Sequence, residues 1–363
     1  MRWRILSVFF HVRQAPCHPR HTAAATLRLE DLTTLPSKRV ALNYFDQARF
    51  KEVHGQLARP CIDVRQQSEQ EDAMRETPEL EAMGGARLLK HFYMPYQIPM
   101  VDARDAPEAA TTLDEQGFKL HRSPTQMAES DFYVRQALID TYLPECEAFV
   151  KKATGATRVI AAKYLVRNRS RPGEASGYVE NRPHVDYTLV SGPQNVRSLL
   201  AETPETEGML SSHRYMLVNV WRRWDGGNDW PLACCSCRTF DYHRDMVGTD
   251  LVYKDRTVES YAVRASDTHK YFWFRDMVKD EALLLKLYDS REDVSRGSLH
   301  TAFKLETLDP PFSAPSRESI EVRCIVLFGP EELAAQASLR AGSPVSTVDG
   351  SADHRNLYSK SRA

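Results

Sequence analysis

Short segments of β-type composition dominate the second half of the chain. They are rich in branched and aromatic side chains, and turn residues such as Ser191-Gly192-Pro193 separate them. Such side chains favour a pleated surface, whereas Gly and Pro interrupt regular structure. The pattern predicts strands over Thr157–Arg167, Tyr215–Trp221, Leu251–Val263 and Ile320–Phe328. Many short strands with few long helices predict a mainly β fold with flanking helices, either a barrel or a sandwich.

Fewer segments show helical spacing. Ser130–Lys152 begins with a residue that can cap a helix, and its apolar residues recur at near-helical spacing. We also predict helices over Asp276–Tyr288 and Glu331–Arg340. The prolines of Phe92–Pro99 favour an extended arm, and the polar stretch Ser198–Ser211 is interpreted as an insertion on a loop.

The two ends of the chain differ in composition from the middle. Residues 1–29 contain five arginines and no acidic residue, which is a bias of organelle transit peptides. Serine is scarce there and two prolines break any helix, so a disordered extension is the favoured interpretation. We expect residues 30–150 to pack against a core formed by residues 151–335. A short helix and a disordered tail are expected over residues 336–363.

Composition restricts the class of protein. The 363 residues are 42% hydrophobic and 27% charged, with a net charge of −1, which is ordinary for a globular enzyme. A neutral chain has no basic field for nucleic acid, and no apolar run is long enough to cross a membrane. Seven irregularly spaced cysteines argue against a disulfide framework and favour a reducing, cytoplasmic location. Nothing in the sequence specifies an oligomeric state.

The segment Asn181–Thr188 contains the pair His184 and Asp186. Alternate side chains of an extended segment point to the same face, so these two residues supply two-thirds of a 2-His-1-carboxylate site. A second histidine downstream must complete such a site. The pattern alone is weak, because Asp267 and His269 repeat it in reverse and a surface turn explains it as well.

The last predicted strand has two different faces. One face is uniformly apolar, while the other carries Arg317, Ser319, Glu321 and Arg323. The charged face either meets solvent or lines a polar pocket inside a barrel. In the second case, Arg317 and Ser319 could grip a carboxylate such as the distal one of 2-oxoglutarate.

Six sequence blocks occur in an order that resembles a known family. They are His184–Thr188, Asn219–Arg222, Pro231–Cys235, Tyr288–Ser290, His300–Phe303 and Arg317–Arg323. The chain is similar, from about residue 41 to 328, to the asaB-type hydroxylase/desaturase family. That family includes gibberellin-desaturase-like and cephem-methoxylase-like proteins of microbial specialised metabolism. Departures occur at Ser236, Thr239 and Arg223, and they leave the substrate open.

The resemblance implies a double-stranded β-helix core, the jelly-roll of cupin-like proteins, with Fe(II), 2-oxoglutarate and O2 chemistry. It implies His184, Asp186 and His300 as the metal ligands and Arg317 with Ser319 as the cofactor-binding pair. The implied activity is hydroxylation, desaturation or oxidative ring closure of a small molecule, for which an amino acid or an amino-acid-derived metabolite is one candidate. Expected substrate contacts are Tyr187, Asn219, Trp221, Arg222 and Arg323.

The third ligand has two rivals. His243 is followed by its own Arg-x-Ser at Arg264, but it lies in a charged cluster that is typical of a solvated surface. His269 lies in an aromatic run, where a packing role is more common. Only His300 combines β-type surroundings with the family block. Arg323 also has a second interpretation, as the structural ion-pair partner of Glu321.

Three other interpretations stay open at this level. Cys234, Cys235 and Cys237 invite a zinc site, although adjacent cysteines on a strand point to opposite faces, which favours structural thiols. The chain could be a catalytically silent cupin-like binding or accessory protein. It could also be a metal-dependent hydrolase with the same three ligands, but such an enzyme does not require the Arg-x-Ser pair.

Overall fold

The computed structural model describes residues 31–32, 34–56, 58–63, 86–88, 92–171, 175, 179–227, 229–252, 257–304, 316–331 and 346–347. The strands, in chain order, are β1 (Ser37–Phe45), β2 (Arg59–Asp63), β3 (Ala86–Leu88), β4 (Tyr93–Asp102), β5 (Phe118–Arg122), β6 (Arg158–Arg167), β7 (Tyr215–Gly226), β8 (Leu232–Cys235), β9 (Met246–Val252), β10 (Thr257–Val263), β11 (Tyr271–Trp273), β12 (Glu281–Asp289), β13 (Leu299–Ala302), β14 (Arg317–Leu327) and β15 (Ser346–Thr347). Within the described residues, the α-helices of four or more residues are α1 (Gln47–His54), α2 (Leu143–Thr154), α3 (Ser191–Leu199), α4 (Pro204–Ser212) and α5 (Tyr242–Asp245).

These strands form three sheets. The major sheet has the order β15-β6-β14-β7-β12-β5, and the minor sheet has the order β1-β4-β11-β8-β13. A four-stranded outer sheet, β10-β9-β2-β3, completes the set. Most neighbouring strands are antiparallel, including the long pairs β14–β6 and β14–β7. The mainly β fold class with flanking helices is therefore confirmed, and it provides two curved sheets that can enclose a site.

The two larger sheets pack face to face. Side chains from both meet in one buried cluster, which includes Leu217 and Leu285 of the major sheet and Cys234 and Phe272 of the minor sheet. Alternate residues of the same major-sheet strands point outward and pack against α2. The barrel interior thus lies between the sheets, and every core strand of the major sheet has two buried faces.

Three structural predictions failed for identifiable reasons. The region predicted as the helix Asp276–Tyr288 contains β12, which lies between β7 and β5. A strand buried on both faces shows a continuous apolar run, and such a run is easily mistaken for a helix. The supposed polar loop Ser198–Ser211 contains α4, capped by Thr203, with Met209 and Leu210 buried.

The third failed prediction is the single helix Ser130–Lys152. It is broken into a 3-10 turn at Glu129–Tyr133, a helical turn at Arg135–Ala137, a π-helical segment at Leu138–Tyr142 and then α2. By contrast, the strands predicted near residues 157–167, 215–221 and 320–328 are confirmed as β6, β7 and β14, and the arm at 92–99 is part of β4. The extended region 251–263 contains the end of β9 and all of β10.

The terminal predictions fall almost wholly outside the described residues. Residues 1–29 and 332–340 are not described, so the expectations for the N-terminal extension and for the helix Glu331–Arg340 stay predictions. Within the expected tail, Ser346 and Thr347 form β15, which pairs with β6 in parallel. Among the helices of the described part of the chain, none is long and apolar enough to cross a membrane.

Candidate metal centre

The backbone brings two sequence-distant histidines face to face. His300 lies on β13, and an isolated antiparallel bridge joins it to His184. Each of the two residues donates its backbone N–H to the carbonyl of the other, at 3.0 Å in both directions. The bridge holds the segment that contains His184 and Asp186 against the end of the minor sheet, 116 residues away from its partner in the sequence.

Three side chains converge at this point. The ligand atoms of His184, Asp186 and His300 all lie within 4.8 Å of one another. Oδ1 of Asp186 is 3.4 Å from Nε2 of His184 and 4.0 Å from Nε2 of His300. Metal–ligand bonds to nitrogen and oxygen are about 2.0–2.2 Å, so an ion placed between these atoms can reach all three. The three residues predicted from sequence are thus brought together at one point.

Hydrogen bonds fix both imidazoles in the tautomer that a metal needs. Nδ1 of His184 donates to the Arg182 carbonyl at 2.9 Å, and Nδ1 of His300 donates to the Ser298 carbonyl at 2.9 Å. Each ring therefore carries its proton on Nδ1 and presents the lone pair of Nε2 to the centre. The two carbonyls carry no side-chain signal, and sequence reasoning did not identify them.

The two imidazoles differ in their electrostatics. Burial, together with the neighbouring His184, lowers the pKa of His300. Burial acts in the same direction on His184, but the Asp186 carboxylate 3.4 Å away would hydrogen-bond the protonated ring, and together with Glu180 it outweighs burial and raises the pKa of His184. The negative charges near the triad therefore outweigh burial at His184 but not at His300.

Asp186 is held from the side that faces away from the histidines. Its Oδ2 accepts from Nδ2 of Asn219 at 3.2 Å and from the guanidinium of Arg323 at 2.9 Å. Burial alone would raise the pKa of Asp186, but the charge of Arg323 and the hydrogen bond with His184 hold that pKa well below its ordinary value. The carboxylate is therefore ionised and ready to bind a metal.

Arg317 and Ser319 lie on the interior face of β14. Arg317 is buried, its guanidinium donates to the Trp230 carbonyl, and it lies 5.6 Å from the centre of the Trp221 ring. Burial, together with Arg167, lowers the pKa of Arg317 to about 9, so its charge is incompletely balanced. The fully buried hydroxyl of Ser319 has no hydrogen-bond partner among the described residues. A buried cation and an unpartnered hydroxyl on one strand face suit the carboxylate of an organic acid.

Four of the five expected substrate contacts face the barrel interior or the metal ligands. Trp221 belongs to the interior cluster, and Nδ2 of Asn219 reaches Asp186. The hydroxyl of Tyr187 accepts from Arg323 at 2.7 Å and donates to Oδ1 of Asn195 at 3.0 Å. Asn195 was not predicted, and no signal in its sequence neighbourhood would have identified it.

Two arginine interpretations need correction. Arg222 follows Trp221 on β7 and therefore points outward, where it donates to the hydroxyl of Tyr142 at 3.0 Å. Its contacts are structural, and this placement does not support a contact with substrate. Glu321 is paired with Arg167 at 3.4 Å rather than with Arg323, whose acidic partner is Asp186.

The rival histidines lie elsewhere. His243 is exposed on the short helix α5. His269 is fully buried, with Nδ1 bonded to the Tyr44 hydroxyl at 2.9 Å and Nε2 to Asp245 at 3.1 Å. Both of its ring nitrogens are occupied, which explains the residue as part of a packed hydrogen-bond chain.

The cysteine cluster is divided between two cores. Cys234 lies in the interior cluster between the sheets, whereas Cys235 and Cys237 lie in the cluster on the outer side of the minor sheet. Burial raises the pKa of Cys234 and that of Cys235. Adjacent thiols on opposite faces of a strand cannot converge on one ion without rearrangement of the backbone.

A family comparison decides the class of this chain. A protein-family profile described as an oxidoreductase/YMDC permease-like domain matches residues 65–327. The hydroxylase/desaturase efuI of Hormonema carpetanum is 30% identical over 251 residues, which cover 62% of this chain and 81% of that protein. This chain belongs to the hydroxylase/desaturase family. The resemblance inferred from the six sequence blocks is confirmed, and asaB of Aspergillus flavus is among the relatives, at 32% identity over 147 residues.

Other comparisons show which oxygenases this hydroxylase/desaturase is similar to. The Fe(II)/2-oxoglutarate-dependent dioxygenase nvfI of Aspergillus novofumigatus is 31% identical over 192 residues, which are 52% of this chain and 66% of that protein. The solved structure of the iron and alpha-ketoglutarate-dependent endoperoxidase NvfI superposes with a TM-score of 0.63 at 22% identity. It covers 81% of this chain and 99% of the other, so the hydroxylase/desaturase shares that fold.

Proposed function

We propose that this hydroxylase/desaturase is an Fe(II)/2-oxoglutarate-dependent oxygenase in which His184, Asp186 and His300 hold the iron. The convergence of these three side chains is the observation that carries the proposal. Two imidazoles and one carboxylate on one side of an ion leave three positions open, as non-haem iron oxygenases require. A hydrolase with the same three ligands would not require the buried pair Arg317 and Ser319 on β14.

Arg317 and Ser319 would hold the distal carboxylate of 2-oxoglutarate. The guanidinium is buried and short of negative charge, and the Ser319 hydroxyl is without a partner in the described part of the chain. A carboxylate between them would satisfy both groups through charge-assisted hydrogen bonds. The Trp221 ring beside Arg317 would limit where the rest of the cosubstrate can lie.

The bound iron and 2-oxoglutarate would supply the oxidising chemistry: 2-oxoglutarate and O2 become succinate and CO2, and the second oxygen atom serves to oxidise a C–H bond of the substrate. The protein positions that bond and excludes water. Its interior cluster is apolar around Trp221 and Leu217, which limits the access of water. Oδ1 of Asn219 is buried without a partner among the described residues, so it can accept a hydrogen bond from a substrate.

The substrate class follows from the relatives rather than from a single contact. The relative efuI is a hydroxylase/desaturase, and nvfI is a dioxygenase that is also described as an endoperoxidase. We propose a small organic molecule of fungal specialised metabolism, contacted by Tyr187, Asn219 and Trp221. All six described cysteines are free thiols, which supports a reducing location such as the cytoplasm.

The test is the formation of succinate. Purified protein with Fe(II), ascorbate and 2-oxoglutarate should release succinate only when O2 is present, and Asp186→Ala should release none. A silent binding protein and a hydrolase would both fail this assay. Mass spectrometry of candidate substrates would then separate the gain of one oxygen atom from the loss of two hydrogen atoms.

A further inference from the structure

The two oxygens of the Asp186 carboxylate have separate surroundings. Oδ1 faces the two imidazoles, at 3.4 Å from His184 and 4.0 Å from His300. Oδ2 accepts two hydrogen bonds, one from Asn219 and one from Arg323. The carboxylate is therefore divided between a metal-facing oxygen and an oxygen that is already occupied by the protein.

The pairing of two strands builds the donor pair that occupies Oδ2. Arg323 of β14 and Asn219 of β7 are directly opposite each other in the antiparallel ladder, so both side chains leave the sheet on the same face. Arg323 also donates to the Tyr187 hydroxyl at 2.7 Å, and its guanidinium lies 5.0 Å from the centre of that ring. With both ends of its fork engaged, the guanidinium has little freedom to leave Asp186.

The number of Asp186 oxygens that bind the metal determines how many coordination positions remain for other ligands. Three single-atom protein ligands leave three positions on a six-coordinate ion, which are enough for a two-atom 2-oxoglutarate and one O2. A carboxylate that binds through both oxygens takes a fourth position and leaves only two. Whether Asp186 uses one oxygen or two therefore decides whether cosubstrate and O2 can be accommodated together.

We propose that Arg323 and Asn219 are positioning residues that restrict Asp186 to single-atom coordination. This inference rests on the proposed function, because it concerns the same metal site. It replaces the expectation that Arg323 contacts substrate. Residues that orient a metal ligand typically change metal affinity or activity by about 10- to 100-fold when they are replaced.

The test compares Mn(II)-loaded crystals of the wild type and Arg323→Leu. One Asp186 oxygen should lie at ligand distance in the wild type, and both should do so in the variant. Anaerobic titration should show that Arg323→Leu still binds Mn(II) but binds 2-oxoglutarate at least about tenfold more weakly. Arg323→Lys keeps a donor for Oδ2, so it should restore single-atom coordination and part of the 2-oxoglutarate affinity.

Arg222→Met is the matched control, since it also removes a buried arginine, but from the outward face of β7. It should leave the coordination and the 2-oxoglutarate affinity unchanged. Single-atom coordination retained in Arg323→Leu, or two-atom coordination in the wild type, would overturn the proposal. If Arg323→Leu does not fold, Arg323→Lys tests the proposal by retention of a donor, and Asn219→Leu tests it by loss of one of the two donors, for which 2-oxoglutarate binding should be weaker than in the wild type. Wild-type protein that binds Mn(II) through one oxygen but forms no succinate would refute the proposed function alone.

Discussion

Replacement of Arg317 by lysine tests the oxygenase proposal most directly. Lysine keeps the positive charge at this position but replaces the planar, two-pronged guanidinium with a single ammonium group. Arg317 is buried and lies against Trp221. A lysine at this position therefore cannot move towards solvent to replace the contacts that the guanidinium makes. The substitution therefore removes the parallel pair of hydrogen bonds to a carboxylate while it preserves the net charge.

The magnitude follows from the number of bonds lost. One charge-assisted hydrogen bond contributes roughly 1.5–3 kcal/mol, which is about a 10- to 100-fold change in affinity. The environment of Arg317 supports a substantial effect: burial, together with Arg167, lowers its pKa from 12.5 to about 9, which corresponds to a cost on the order of 5 kcal/mol for the charged form. An anion that binds there recovers part of this free energy. We expect Arg317→Lys to weaken 2-oxoglutarate binding by about 10- to 100-fold.

The assay is anaerobic calorimetric titration of 2-oxoglutarate into protein loaded with Mn(II). Ser319→Ala should weaken binding by only a few-fold, because a neutral hydroxyl contributes about 1 kcal/mol. Arg264→Lys is the control, since Arg264 begins the other Arg-x-Ser sequence but bonds to Gln47 and to the His243 carbonyl. Unchanged 2-oxoglutarate affinity in Arg317→Lys, or a large loss in Arg264→Lys, would show that the carboxylate is bound elsewhere.

Three further predictions concern the metal and the stability of the fold. His300→Ala should reduce metal affinity by at least about tenfold in equilibrium dialysis, whereas His243→Ala should not; the reverse result would contradict the assigned ligand set. Lys286→Met should destabilise the protein by about 3 kcal/mol in urea unfolding, because the fully buried ammonium lies 2.7 Å from both Asp114 and Asp289; a loss below about 1 kcal/mol would refute this. Burial raises the pKa of Asp114, but the charges and hydrogen bonds of Lys286 and Arg214 together outweigh burial, and the pKa falls to about 2. This carboxylate therefore contributes stability above about pH 4, and the contribution is at most about 1 kcal/mol because the side chain is half exposed. The free energy of unfolding, measured as the pH is lowered, should fall by that amount towards pH 2 in the wild type. In Lys286→Met the fall should be smaller.

Much of the candidate site could be predicted from the sequence alone. Period-two spacing placed His184 and Asp186 on one face, and the two faces of β14 separated an apolar side from a polar one that carries Arg317 and Ser319. These inferences succeed because strand geometry is local: neighbouring side chains alternate whatever the strand packs against. The order of six blocks then identified the family, which the comparisons confirmed.

Only the tertiary structure decided what each polar side chain meets. The sequence left Arg323 between Glu321 and a substrate, whereas the structure pairs it with Asp186 through the register of β14 and β7. Arg222 lies one position from Trp221 and was grouped with it, although the pleat directs the two residues to opposite sides of the sheet.

Contacts between distant parts of the chain also explain why residues 276–288 were wrongly predicted to be a helix. An apolar run indicates that both faces of the segment are buried, but it does not indicate whether strands or helices cover those faces. β12 is a strand because β7 and β5 supply hydrogen-bond partners on either side. Those partners come from distant parts of the chain, so the choice is made by long-range backbone pairing, which a local pattern does not contain.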